Sequence, residues 1–164
     1  MNPCFDYQAV FRVLNENAVH YLLIGGLNYF LRHKPVSTQD IDVFVEPSRD
    51  NLSRCETALS ALHAQWGRDD ADWKLTSEKP GGWLSGQAVF CLLTPQAPLD
   101  IFLSVPGISS FAEADANAAS IITNDGTKVR CISTEHLLAC QLALPESLRR
   151  LDRVRHLLEL QSNG

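Results

Sequence analysis

The feature that most constrains this chain is the run Thr38-Gln39-Asp40-Ile41-Asp42-Val43-Phe44-Val45. β-branched residues alternate there with carboxylates, and Pro47 closes the run, so Ile41 to Val45 reads as a strand. Residues two apart on a strand project from one face, which sets Asp40 and Asp42 side by side, roughly 7 Å apart at the backbone. Ile41, Val43 and Val45 then point the other way, into a core. Two adjacent carboxylates repel, and burial drives one of them to take a proton unless a cation neutralises the pair. An oxygen-only pair of this kind suits Mg²⁺ or Mn²⁺.

The pattern returns in Leu99-Asp100-Ile101-Phe102-Leu103. Asp100 shares a face with Phe102, as Asp42 does with Phe44. If the two strands are neighbours, three carboxylates converge, and such a trio can hold two metal ions about 3.5–4 Å apart for phosphoryl or nucleotidyl transfer. Upstream, the apolar run Val19 to Ile24 stops at Gly25-Gly26 and a short helix follows. Glycines at that turn let the backbone approach an anion, which a helix N-terminus attracts. Ser37 and Thr38 offer hydroxyls on the same approach, and His33 and Lys34 follow the short helix within reach of a polyphosphate. Neither a dinucleotide fingerprint nor a Walker A loop is present.

Taken together, apolar-Gly-Gly, a short gap, Asp-apolar-Asp-apolar and a later strand Asp resemble the nucleotidyltransferase superfamily of the polymerase-β type. The nearest likeness is to AbiEii-like toxin and minimal bacterial nucleotidyltransferases. Tyr21-Leu22-Leu23-Ile24-Gly25-Gly26 and Ser37-Thr38-Gln39-Asp40-Ile41-Asp42-Val43 carry it, and Ser133-Thr134-Glu135-His136-Leu137-Leu138 is similar to the start of their late helix. The resemblance implies Asp40, Asp42 and Asp100 as catalytic metal ligands, with Gly25, Gly26, Ser37, Thr38 and Lys34 toward a nucleoside triphosphate. It also implies Mg²⁺ or Mn²⁺ as cofactor and an RNA, protein or small-molecule hydroxyl as acceptor, with an antitoxin as partner if the chain is toxin-like. Val36 and Gln141 stand where those relatives often carry Arg and Lys. That departure supports an alternative: a degenerate scaffold that binds a nucleotide or a protein without turnover. An antibiotic-adenylylating enzyme is a third reading, and it predicts a deep pocket beside Asp100.

The expected architecture is an α/β (α+β) chain, a mixed sheet flanked by helices and ending in helices, as one domain over residues 1–164. Helices are expected at 5–17, 27–33 and 48–65, from Ser133, and at 146–160, with Pro145 between the last two. Strands are expected at 19–24, 41–45, 88–93 and 99–105. A hairpin turns about Asn124-Asp125-Gly126 over 120–132. Residues 66–86, rich in Asp, Gly and Pro, read as irregular strands and a flexible, exposed loop. Arg149, Arg150 and Arg153 read as the solvated face of an amphipathic helix, with an acceptor-binding patch as the other reading. His20, His63, His136 and His156 have no mutual ligand spacing and read as structural or exposed.

The 164 residues carry 14 Lys and Arg against 19 Asp and Glu, a net charge of −5 that argues against a broad DNA-binding surface. The five cysteines lack zinc or redox spacing, and most, Cys91 and Cys140 among them, read as small buried thiols. Met1-Asn2-Pro3-Cys4 opens no secretory signal, and no apolar run is long enough to span a bilayer, so a cytoplasmic protein with no membrane partner is expected.

Overall fold

The computed structural model describes residues 5–164; the opening tetrapeptide, with the leader reading and Cys4, lies outside the described residues. Its elements run α1 (Tyr7–Glu16), β1 (Tyr21–Ile24), α2 (Gly25–Arg32), β2 (Ile41–Val45), α3 (Arg49–Ala61), β3 (Gln65–Trp66), β4 (Lys74–Leu75), β5 (Val89–Leu93), β6 (Pro98–Phe102), α4 (Phe111–Ala116), β7 (Ala119–Ile122), β8 (Lys128–Cys131), α5 (Thr134–Leu142) and α6 (Leu151–Ser162). The strands form one mixed sheet in the order β4-β3-β5-β6-β2-β1-β8-β7. β1 pairs antiparallel with β2, and β2 pairs parallel with β6. The α/β (α+β) architecture with C-terminal helices is therefore observed.

The central strands are covered on both faces. Leu23, Ile41, Val43, Leu99 and Ile101 pack with Phe11 and Leu14 of α1 and with Leu59 of α3. On the other face Leu22, Ile24 and Phe44 pack with Leu137 and Leu138 of α5 and Leu157 of α6. β1 is buried along its whole length, which explains its unbroken apolar sequence. Two buried asparagines fix the connections. Asn28 donates to Leu23 O (2.8 Å) and Ile132 O (3.2 Å), tying α2 to the ends of β1 and β8. Asn51 accepts from His20 N (2.8 Å) and donates to His20 O (3.0 Å) and Glu46 O (2.8 Å).

Several sequence boundaries move. The first short helix starts on the glycines themselves, with Gly25 at φ +69°. The expected 48–65 helix stops at Ala61, because His63 turns into the left-handed region (φ +52°) and Gln65 joins the sheet. The last expected helix divides into a 3-10 turn at Glu146–Leu148 and α6. α4 was not anticipated. Residues 66–86 hold the short strands expected there and stay largely exposed, but the segment is anchored: Leu84 is fully buried, the Trp66 and Trp83 rings stack 5.6 Å apart, and Glu56 accepts from Gly82 N and Leu84 N, both at 3.1 Å. Cys91 is exposed, contrary to the buried reading, because no helix covers the outer face of β5. Cys55 and Cys131 are buried and Cys140 is half-buried. No helix among the described residues is long and apolar enough to cross a membrane.

Candidate active site

The site forms where β2 and β6 run in parallel. Their register sets Asp42 directly opposite Asp100, and across β6 the antiparallel β5 sets Cys91 opposite Asp100. Asp40 sits in the bend just before β2 rather than within the strand, which lets it turn toward the other two. One oxygen of each of Asp40, Asp42 and Asp100 lies within 4.8 Å of the others.

So much negative charge is held at a cost. Burial first, then the Asp40 and Asp100 charges and a hydrogen bond with Asp100, push the Asp42 carboxyl up to about 7. Asp100 is also raised, chiefly by burial and by the Asp40 charge, while hydrogen bonds from Cys91 and Asp42 oppose the shift. The Cys91 thiol, although exposed, is raised by partial desolvation against the sheet and by the neighbouring carboxylates, Asp100 first. The donor set is oxygen only, compact and short of positive charge, and it fits a hard divalent cation.

The glycine turn forms the facing wall. A Cβ built on Gly25 would collide with Asp42 Oδ2, so the position admits no side chain irrespective of its left-handed backbone. A Cβ on Gly26 would stand 3.3 Å from Thr38 Oγ1 and 3.3 Å from Arg153 Nη1. Gly26, Ser37, Thr38, Asp40 and Asp42 line one open cleft of about 850 Å³ with Arg150, Asp152 and Arg153 of the C-terminal segment. The Thr38 hydroxyl donates to Asp40 O (3.3 Å) and so braces the bend. Lys34 is exposed and does not line this cleft. His33 packs against Tyr29 and His156, with ring centroids 5.5 and 6.0 Å away.

The arginine cluster divides. Arg149 donates to Leu144 O (3.0 Å) and Leu142 O (2.9 Å), closing the end of α5. Arg150 and Arg153 instead face the cleft, against the solvated-face reading. Their i, i+3 spacing put them on one helix side; which side faced inward depended on how α6 docks. The place of Cys91 beside Asp100 was readable only through the pairing of β5 with β6.

Three solved structures share this architecture. A Thermotoga maritima protein assigned as a nucleotidyltransferase matches at 14% identity and TM-score 0.53, over 96% of this chain and 91% of its own. The lincosamide antibiotic adenylyltransferase LnuA, solved with lincomycin, matches at 16% identity and TM-score 0.61, over 94% and 95%. ANT(2″)-Ia, solved with adenylyl-2″-tobramycin, matches at 16% identity and TM-score 0.59, over 96% and 87%. The chain has the nucleotidyltransferase fold. No protein-family profile and no curated protein matches the sequence. Within the nucleotidyltransferase fold seen here, Asp42 and Asp100 lie on the parallel pair β2 and β6, Asp40 lies in the bend that enters β2, and the glycine turn follows β1 beside them.

Proposed function

We propose that the chain is a metal-dependent nucleotidyltransferase that moves a nucleoside monophosphate from a nucleoside triphosphate to an acceptor hydroxyl. The observation that carries this reading is the convergence of Asp40, Asp42 and Asp100 against the Gly25-Gly26 turn. Asp40 and Asp42 would hold Mg²⁺ or Mn²⁺, and Asp100 would complete a second position. Bound there, the cation neutralises the triphosphate and acidifies the acceptor hydroxyl. The chain's own groups do the positioning. Backbone N–H groups at Gly25 and Gly26 face the phosphates, with the Ser37 and Thr38 hydroxyls alongside. Asp100 orients the acceptor and takes its proton. The acceptor oxygen forms a bond to the α-phosphorus as the bond to the bridging oxygen breaks, and pyrophosphate leaves with the electron pair.

On the acceptor side Val89, Cys91 and Leu93 form an open sheet face next to Asp100 rather than a deep pocket. This favours an acceptor that lies along a surface. LnuA and ANT(2″)-Ia, whose chains this one matches nearly end to end, support a small hydroxyl compound as the alternative. The toxin-like role and an antitoxin partner rest on the sequence resemblance to AbiEii-like proteins.

A second reading, nucleotide binding without turnover, is favoured by one observation: Gln141 holds no charge at the cleft and spends its side-chain oxygen on Arg150 N (2.8 Å). Incubation with each labelled triphosphate and Mg²⁺, with RNA, protein, aminoglycoside and lincosamide acceptors in turn, tests both. Label transfer with pyrophosphate release, lost in Asp42→Asn, is expected. Metal-dependent binding with no pyrophosphate from any acceptor would establish the second reading instead.

A further inference from the structure

On the face that carries Asp100, the sheet continues as an open shelf made by β5, β3 and β4. Register traces it strand by strand: Asp100 stands opposite Cys91, Leu93 opposite Gln65, and Gln65 opposite Leu75. Cys91, Leu93 and Gln65 are all exposed. Trp73, the residue before β4, is 39% exposed, and its Nε1 donates to Gln65 Oε1 at 3.1 Å, so the indole is held on this same face. Gly67 lets it close in, since a Cβ there would stand 2.5 Å from Trp73 N.

Charge is sorted between the two faces. Lys74 stands opposite the buried Trp66 and so projects to the other side, where Arg68, Lys74 and Lys79 gather around Trp66 and Trp83. Lys79 Nζ lies 4.7 Å from the centre of the Trp66 ring. The shelf itself, from Val89, Cys91 and Leu93 across to Gln65, Leu75 and Trp73, carries no charged side chain. Carboxylates bound it instead: the acidic trio at β2 and β6, and the exposed Asp69 and Asp70 at the tip of the β3–β4 hairpin. A polyanion laid along this face meets repulsion at both limits, whereas a neutral or cationic compound does not.

We propose that Trp73 is a specificity-determining residue of the acceptor side. Its indole stacks on an aryl or other flat apolar group of a neutral or cationic small compound, whose hydroxyl reaches Asp100. From β6 to β4 is three strand spacings, roughly 14 Å, which a compound of two linked rings spans. The fixed indole offers a large apolar contact that loses little freedom on binding. The inference rests on the nucleotidyltransferase reading for the role of Asp100, but the aryl subsite is tested apart from transfer.

Phenyl β-D-glucopyranoside and methyl β-D-glucopyranoside, which differ only in the aryl group, serve as probes, with an RNA oligonucleotide as the polyanion. The chain has three tryptophans, so its indole N–H signals in a nitrogen-15 spectrum are few, and Trp73→Leu assigns the one of interest. The phenyl compound is expected to move the Trp73 signal saturably, about tenfold more tightly than the methyl compound, and to leave Trp66 and Trp83 still. Trp73→Leu should abolish that preference and Trp73→Phe should keep part of it. Leu93→Ser, which thins the shelf without touching the indole, should weaken phenyl binding several-fold. Both positions are exposed, so ligand-free thermal midpoints should match wild type. With any aryl acceptor that is modified, Trp73→Leu should raise KM and leave kcat unchanged. No preference for the phenyl compound, a preference that survives Trp73→Leu, or RNA that moves the Trp73 signal at lower concentration would each overturn the proposal. So would a dimer in sedimentation that Trp73→Leu dissolves, because the occupant would then be a second copy. Trp73-dependent aryl binding in a protein that transfers no nucleotide would uphold the subsite and leave the catalytic reading as the one that failed.

Discussion

At the scale of single residues, Asp42 dominates. Its folded-state pKa of about 7 lies above the usual carboxyl value, so between about pH 4 and 7 the native state holds a proton that the unfolded chain has lost. Stability of the metal-free protein therefore falls as pH rises through this window, and the loss is complete above it. Solvent reaches the cleft and Asp100 shares the proton, so the expected contribution is on the order of 1–2 kcal/mol. Chemical denaturation at stepped pH without metal, compared with Asp42→Asn, checks it: the variant should lose this slope and be more stable than wild type at pH 8. Mg²⁺ should oppose the slope in wild type alone. Gly25→Ala is the complementary change. Its methyl group must displace Asp42, and its backbone must enter the left-handed region, so a stability loss of about 1–3 kcal/mol and loss of metal-dependent nucleotide binding are expected together.

Among the elements, the connections decide where the site's walls stand. Asn51 satisfies three backbone groups at the junction of β1, β2 and α3, and Asn51→Ala removes the partner of His20 N and of Glu46 O, while His20 O keeps its bond from Glu46 N at 3.1 Å. A loss of about 2–3 kcal/mol in urea unfolding is expected, with the denaturant slope unchanged. Ser133 caps α5 by accepting from His136 N, and Ser133→Ala should cost about 1 kcal/mol. The same elements show what a sequence can disclose. β2 was legible to the residue at Ile41–Val45, because acid-apolar alternation and Pro47 bound it on both sides. The hairpin was legible because Asn124-Asp125-Gly126 demands a turn, and Gly126 takes φ +84°. α4 was not, since Phe111–Ala116 is too short to show a period. Nor could the chain alone reveal that β2 and β6 are neighbours, or that Arg150 and Arg153 turn inward while Arg149 ties off α5. Those facts depend on packing between elements remote in sequence.

For the whole molecule, ligand and fold are one equilibrium. A ligand at a hundred times its dissociation constant adds about 2.7 kcal/mol, and for a chain of this size each kcal/mol raises the thermal midpoint by roughly 2–4 °C. A triphosphate with Mg²⁺ should raise the midpoint of wild type by several such degrees and leave that of Asp42→Asn unmoved in a fluorescence melt. The parallel pairing of β2 with β6 has a consequence in time as well as in space. A helix and three other strands separate these two partners along the chain, and α6 comes last of all. Contacts between distant segments form late, because the intervening loop must first be closed. The acidic trio therefore does not exist in any early folding species, and a nascent chain cannot assemble the whole cleft until its C-terminal helix has docked. Competence to hold a ligand in the whole cleft should therefore arise in one step, when α6 docks.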